Sequence, residues 1–413
     1  MADGRSGADD PRARKRAEEL LMGARFDDAR RELLALEGEH PASAGVATRL
    51  AELALLDNRP EAAIGYLDGI GSQPLSPHGR WVQAQSLRRA GRSAAAADWF
   101  RRLGRPEFAA ALEAFDNRPP YRVLGTASRW SIPFVASEPL PLVSAVVNGS
   151  AQGSFLVDTG AGDVLLDEAF ARNAGVVLGG RETGQFAGGR HGSVRHGRAD
   201  TLQMGELELA DLPLEVLDLS TQLAGFYQSH EVAGIIGLEL LSRFNVVLDY
   251  PGGALHLQRR KRATEVPGED DRRFWIAGDH YPVAWGRLND RPLLWFLDTG
   301  MSGYDCLVSS QVATAVGVRP SGGTGHGYGG GGPVETAPFI ADSVCLGPVC
   351  ARPARGVMAA GFPLARRFGF HVGGLLAHGF IRHYRLSLDF DAMTVAMTPS
   401  EDDPENAGEH RGQ

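Results

Sequence analysis

One short stretch occurs twice in this chain and constrains the rest of it. Phe155-Leu156-Val157-Asp158-Thr159-Gly160-Ala161 is matched by Trp295-Phe296-Leu297-Asp298-Thr299-Gly300-Met301. Each copy is an apolar run of strand length that ends on an acid inside a Thr-Gly turn. A single Asp-Thr-Gly is a weak signal, but the segment downstream of each copy is duplicated as well. Gly234-Ile235-Ile236-Gly237-Leu238-Glu239-Leu240-Leu241 leads into residues 244–250, and Gly374-Leu375-Leu376-Ala377-His378-Gly379-Phe380-Ile381 leads into residues 384–390. Gly234 and Gly374 each stand 76 positions after their Asp, and Asp249 and Asp389 each stand 91. The chain therefore holds two copies of one unit offset by 140 positions. That is too long for a solenoid repeat and suits two similar half-domains facing each other.

These residues resemble the aspartic proteases, and more closely their retropepsin-like (retroviral-type) branch, with two lobes fused in one chain. The resemblance rests on apolar-apolar-Asp-Thr-Gly-Ala at 156–161 and Gly-Ile-Ile-Gly-x-x-Leu-Leu at 234–241, and covers about residues 136–398. A Gly-rich segment falls between the two motifs in each copy, at 183–189 and 322–332, where the family places its flap.

The resemblance implies that Asp158 and Asp298 form an intramolecular dyad that activates a water to hydrolyse peptide bonds. It casts Gly160 and Gly300 as the residues that let the turns approach the carboxyls. It casts Thr159 and Thr299 as supports that lock the two turns together. Phe186 and Tyr328 are the candidate flap aromatics. Many pepsin-like enzymes carry Ser or Thr after the Gly, but here Ala161 and Met301 have no side-chain donor. Losing a donor to the charged form raises a carboxyl pKa, so activity is expected at mildly acidic to near-neutral pH. A second departure is Ala377 where the first copy has Gly237; Gly379 stands two places on, so the second lobe is expected to be less regular there.

Ahead of this region, residues 11–115 read as helical and rich in Ala, Leu, Arg and Glu. A weak repeat runs through 21–29, 55–62 and 89–96, its small residue advancing by 33 and then 34 positions. This is similar to tetratricopeptide-type helical hairpins, with Pro41 as a terminator. The predicted fold is thus an all-α, tetratricopeptide-like N-terminal domain followed by an all-β bilobal aspartic-protease fold. The expected divisions are helices at 11–115, a Pro-rich linker at 116–135, lobe 1 at 136–260, lobe 2 at 261–398 and a disordered acidic tail at 399–413. Within lobe 1 the pattern predicts strands at 142–147, 154–158, 207–209 and 214–217 and a short helix at 168–173. The basic run 259–262 reads as a solvated linker between the lobes.

Composition sets outer bounds. The net charge of −8 and the absence of a basic face argue against nucleic acid as a partner. No signal-peptide core and no run of about 18 apolar residues occurs, so the chain is expected to be cytoplasmic, without a membrane span. Cys345 and Cys350 flank a turn; they read as two thiols packed in a sheet, or as a hairpin bridge in an oxidising compartment. The histidines at 191, 196, 371, 378 and 383 lack ligand spacing, so neither metal nor cofactor is expected. The expected partner is a protein or peptide substrate, recruited by the helical domain. The site should form within a monomer. The rival reading is a peptide-binding scaffold that uses the same cleft without turnover.

Overall fold

The computed structural model describes residues 11–399 apart from 41–42, 117, 186–190, 224–226, 228–229, 262–271, 330–331 and 360–367. Pro41, Phe186 and residues 400–413 of the expected tail therefore lie outside the described residues. An N-terminal helical region is followed by a β-rich, two-lobed region, as the sequence predicts. The chain divides into two compact units. The first holds the described residues among 1–119, 276–279 and 363–371; the second holds those among 120–275, 280–362 and 372–413.

Among the described residues of the first unit, seven helices follow one another: α1 Pro11–Met22, α2 Phe26–Glu39, α3 Ala44–Leu56, α4 Pro60–Asp68, α5 Pro77–Arg89, α6 Ser93–Arg102 and α7 Pro106–Glu113. Proline opens α4, α5 and α7, where its missing N–H costs nothing, and Ser43 and Ser76 cap α3 and α5. The weak sequence repeat is a repeated turn. Ala24, Asn58, Gly91 and Gly104 all take left-handed φ, from +52° to +78°. Each is followed by an arginine whose N–H returns to the carbonyl five residues back: Arg25 to Leu20, Arg59 to Ala54, Arg92 to Leu87 and Arg105 to Phe100. This Schellman geometry satisfies the last carbonyls of one helix and aims the next. It occurs once more than the sequence repeat suggests, between α6 and α7.

Two short segments assigned by sequence to lobe 2 belong instead to the helical unit. Phe370 meets Phe26 edge to face at 4.9 Å, and His371 N–H donates to the Met22 carbonyl. Arg89 donates to the carbonyls of Gly278 and Asp279. Burial of Phe26, Phe368, Phe370 and Ile276 explains their placement, since aromatic side chains carry the most apolar area per residue.

The second unit repeats one topology in both lobes. Strand Ala151–Val157 runs parallel to Val232–Ile236, and Arg291–Asp298 runs parallel to Gly374–Ala377, in the same register 140 positions on (Val157 with Ile236, Leu297 with Leu376). These runs are covered on both faces, which is why they read as continuous apolar stretches rather than alternating ones. The lobes share a sheet. Phe244–Asp249 pairs antiparallel with Tyr384–Asp389, and at its centre Val247 faces Ser387, its own counterpart in the other copy. The pseudo-twofold axis passes through this pair.

Several expectations need correction. The stretch 116–135 is not a plain linker, because Arg129–Ala136 is a strand paired with Ala254–Arg259. Pro133 is tolerated there because on its other side the strand pairs only at Phe134 and Ala136. The two short strands at 207–217 are one, Leu207–Leu217, kinked at Asp211 (φ +60°). The described part of the basic run is packed: Arg259 lies 5.7 Å over Trp130, and Arg260 pairs with Asp391 at 3.0 Å. Cys345 and Cys350 face each other across the strands Val344–Leu346 and Val349–Ala351 and are joined as a disulfide, so the thiol reading is replaced by the bridged one.

Candidate active site

Asp158 and Asp298 end equivalent strands and meet at the pseudo-twofold axis. Their turns interlock. The Thr159 N–H donates to the Thr299 hydroxyl at 3.0 Å, and the Thr299 N–H donates to the Thr159 hydroxyl at 3.1 Å. Each hydroxyl in turn donates across the axis, Thr159 to the Leu297 carbonyl at 2.8 Å and Thr299 to the Val157 carbonyl at 2.9 Å. Both threonines are fully buried, so these four bonds have no water to compete with them.

The glycines close the arrangement. Gly160 N–H donates to Asp158 Oδ1 at 2.7 Å, and Gly300 N–H donates to Asp298 Oδ1 at 2.8 Å. A Cβ on Gly160 would lie 2.7 Å from Asp298 Cγ, and one on Gly300 would overlap the Asp158 carboxyl. Each carboxyl thus rests against the glycine of the other turn, an approach that only glycine permits.

Electrostatics reflect this crowding. Burial raises the Asp158 carboxyl, opposed by its bonds from Gly160 and Ala161 and by the nearby His280. Burial and the charge of Asp158 together push Asp298 well above the usual carboxylate range. Two carboxyls this close do not both ionise readily; they hold one proton between them, and the titration belongs to the pair.

The Ala377 departure has a physical resolution. The backbone at Gly237 and Ala377 is nearly the same and extended (φ −91° and −104°), so Gly237 is needed for space alone. A Cβ there would overlap the carbonyls of Gly162 and Asp163. In the second lobe the loop after Asp298 is two residues longer: the next strand starts at Cys306, against Val164 in the first. The close approach moves with it, to Gly379 against Tyr304. The second lobe is as regular as the first, since Leu238 N–H bonds Ala161 and His378 N–H bonds Met301, both at 2.9 Å.

Of the flap candidates, Phe186 lies outside the described residues. Tyr328 lies in the strand Gly325–Gly329, paired with Pro333 in the hairpin formed with Gly332–Ala341. Sequence reasoning missed three polar residues that feel the charge of the dyad, Tyr227, Tyr250 and His280, and a fourth, His378, that lies against Tyr250. Among the described residues, the Tyr250 hydroxyl and His378 Nε2 are buried without a hydrogen-bond partner, and their rings meet at 5.1 Å. Burial lowers the His378 imidazole to about 4. The signal was available. His378 stands where the first copy has Leu238, and Tyr250 where the second has Phe390. Among the described residues, no group of three or more His, Cys, Asp or Glu side chains could hold a metal ion. Nor is any helix there long and apolar enough to cross a membrane.

Residues 143–240 match a family model described as aspartyl protease. That stretch is similar to the aspartyl protease family. No curated protein matches it. Solved structures similar to it include a retropepsin-like aspartic protease from Rickettsia conorii, at 19% identity over 34% of this chain and 95% of that one, with a TM-score of 0.23. Another is the aspartic proteinase from Irpex lacteus, at 11% identity over 66% of this chain and 98% of that one, with a TM-score of 0.38. The family match falls within the first lobe and includes Asp158, while Asp298 is reached only through the internal duplication.

The helical unit holds a cavity of its own, of about 710 Å³. Arg49, Glu52, His78 and Trp81 are among its lining residues. Arg49 forks onto Glu18 with two bonds of 2.8 Å. Burial would raise the Glu52 carboxyl, but His78 and Arg49 outweigh it and hold Glu52 below the usual range.

Proposed function

We propose that this protein is an aspartic endopeptidase of the retropepsin-like kind, with Asp158 and Asp298 as its catalytic dyad. The observation that carries this reading is the reciprocal packing of each carboxyl against the other turn's glycine, locked by the crossed threonine bonds. Ionised Asp158 takes a proton from the water as its oxygen attacks the scissile carbonyl carbon. Protonated Asp298 gives its proton to the carbonyl oxygen. The resulting diol collapses when Asp158 passes its proton to the leaving amine and Asp298 takes one back from a hydroxyl. The pair thus ends as it began, and neither metal nor covalent intermediate is required. Both acids come from one chain, so a monomer suffices. The helical hairpins, tetratricopeptide-like in their repeated turns, would recruit the protein substrate or a partner through the cavity they enclose.

Hydrolysis of a peptide library by the full chain between pH 3 and 8 tests this directly, with Asp158→Asn and Asp298→Asn alongside. Each variant is expected to lose roughly 10²–10⁴-fold or more of the activity. Equal turnover by all three proteins overturns the assignment. Peptide binding without turnover by any of them turns the reading to a scaffold that uses the same cleft.

A further inference from the structure

The two halves of the site are alike in backbone and unlike in one respect that bears on the proton. The hairpins entering the two Asp strands are aligned by Asn148 and Asn289. Asn148 Oδ1 accepts from the N–H groups of Asp200 and Thr201, and Asn289 Oδ1 accepts from those of Asp342 and Ser343. The first hairpin turns between Val147 and Ala151, the second between Leu288 and Arg291, one residue tighter. Upstream of the turn the counterpart offset is therefore 141, and the residue matching His280 is Pro139. Beyond the Asp turns, Leu238 N–H bonds Ala161 as His378 N–H bonds Met301, and the next pair of bonds, Glu239 to Gly162 and Gly379 to Tyr304, makes Tyr304 the counterpart of Gly162.

Those two differences fit each other. A Cβ on Gly162 would stand 3.1 Å from His280 Nδ1, so the missing side chain is the room in which the imidazole lies. The ring is half-buried and is held flat against Tyr281, with centroids 4.0 Å apart and planes 28° from parallel. Asp163, next along from Gly162, lies 3.4 Å from the Tyr121 hydroxyl. Across the axis stand Tyr304, which has a Cβ, and Pro139, which cannot carry charge.

We propose that His280, lodged against Gly162, is the positioning residue that makes the two acids inequivalent, holding Asp158 as the base and leaving the proton on Asp298. This rests on the endopeptidase reading for its consequence in catalysis, though not for its electrostatics. An imidazole is cationic in acid, and a cation beside one of two coupled carboxyls favours the ionised form of that one. The pair then keeps its single negative charge to lower pH than two equivalent acids would.

The test uses the full chain and three variants: His280→Gln, which keeps size and polarity; His280→Lys, which keeps the charge; and His280→Pro, the residue of the other half. In pH profiles of kcat/KM the Gln variant is expected to keep its plateau within about threefold. Its acid limb should rise by roughly half a pH unit or more, and the Lys variant should recover part of that shift. A Gln variant whose acid limb coincides with wild type, or whose loss is a uniform drop at every pH, overturns the proposal. Carboxyl carbon NMR gives a second readout without turnover, the Asp158 signal being identified by its loss in Asp158→Asn. That signal should titrate higher in His280→Gln than in wild type. An unchanged midpoint sinks the proposal even if peptides are cleaved. A shifted midpoint in a protein that cleaves nothing upholds it while removing the endopeptidase reading. If the Pro variant fails to fold, the Gln and Lys pair decides alone.

Discussion

Thr159 and Thr299 each use a single hydroxyl twice, accepting the partner's N–H and donating to the carbonyl two residues before the partner. An alanine at either position leaves one buried N–H and one buried carbonyl unpaired on the opposite lobe. We expect Thr159→Ala and Thr299→Ala each to lose about 2–4 kcal/mol in urea unfolding, and Thr→Ser at the same sites to lose about 1 kcal/mol or less. Equal losses for Ala and Ser would mean that the methyl, not the hydroxyl, matters.

The dyad itself should destabilise the fold. Asp298 has a folded pKa raised well above its ordinary value. The folded state therefore binds more protons than the unfolded state as pH climbs from about 4, and stability falls through that window. Asp298→Asn should be inactive yet more stable than wild type at neutral pH, by about 1.4 kcal/mol for each unit of elevation. The gain should vanish below about pH 4. Chemical denaturation at pH 3.5 and pH 7 gives the comparison, and a loss of stability at pH 7 would contradict it.

His378 acts with the opposite sign. Its folded pKa of about 4 lies below the ordinary value near 6.5, so the unfolded chain binds the extra proton first. Stability from this group is present above about pH 6.5 and drains away as pH falls towards 4, by at most about 3 kcal/mol. Replacement by leucine, the residue of the first lobe, should flatten that part of the pH–stability curve and cost little at pH 7. A curve as steep as wild type would place the acid sensitivity elsewhere.

The bridge between Cys345 and Cys350 closes a loop of six residues. Chain entropy alone assigns it about 2 kcal/mol. Thermal or urea unfolding with and without reductant should differ by that amount, and Cys345→Ser with Cys350→Ser should remove the difference. Two free thiols by mass spectrometry in the untreated protein would contradict the pairing.

The duplication made much of the second unit legible, because the same apolar runs recur at equal spacing. Strand Leu142–Val147 and helix Glu168–Asn173 stand where the sequence pattern puts them, and the Asp167 side chain caps the helix. The longer loop after Asp298 was hidden because a compensating shortening before Gly374 restores the 140-residue offset. Segments 276–279 and 368–371 were hidden for another reason. Four residues carry no periodicity, and Phe26 and Arg89, far away in sequence, explain where they go. His280 was overlooked because its partner is an absence, the side chain that Gly162 lacks.

Val247 opposite Ser387 shows what fusion allows. In an assembly of two identical chains, any residue on the axis must face a copy of itself, and every change near the catalytic acids happens on both sides at once. Here one covalent polymer supplies both halves, so a valine can look at a serine and a histidine can attend one acid alone. Selection could then shape the acid partner and the base partner as two separate inheritable traits.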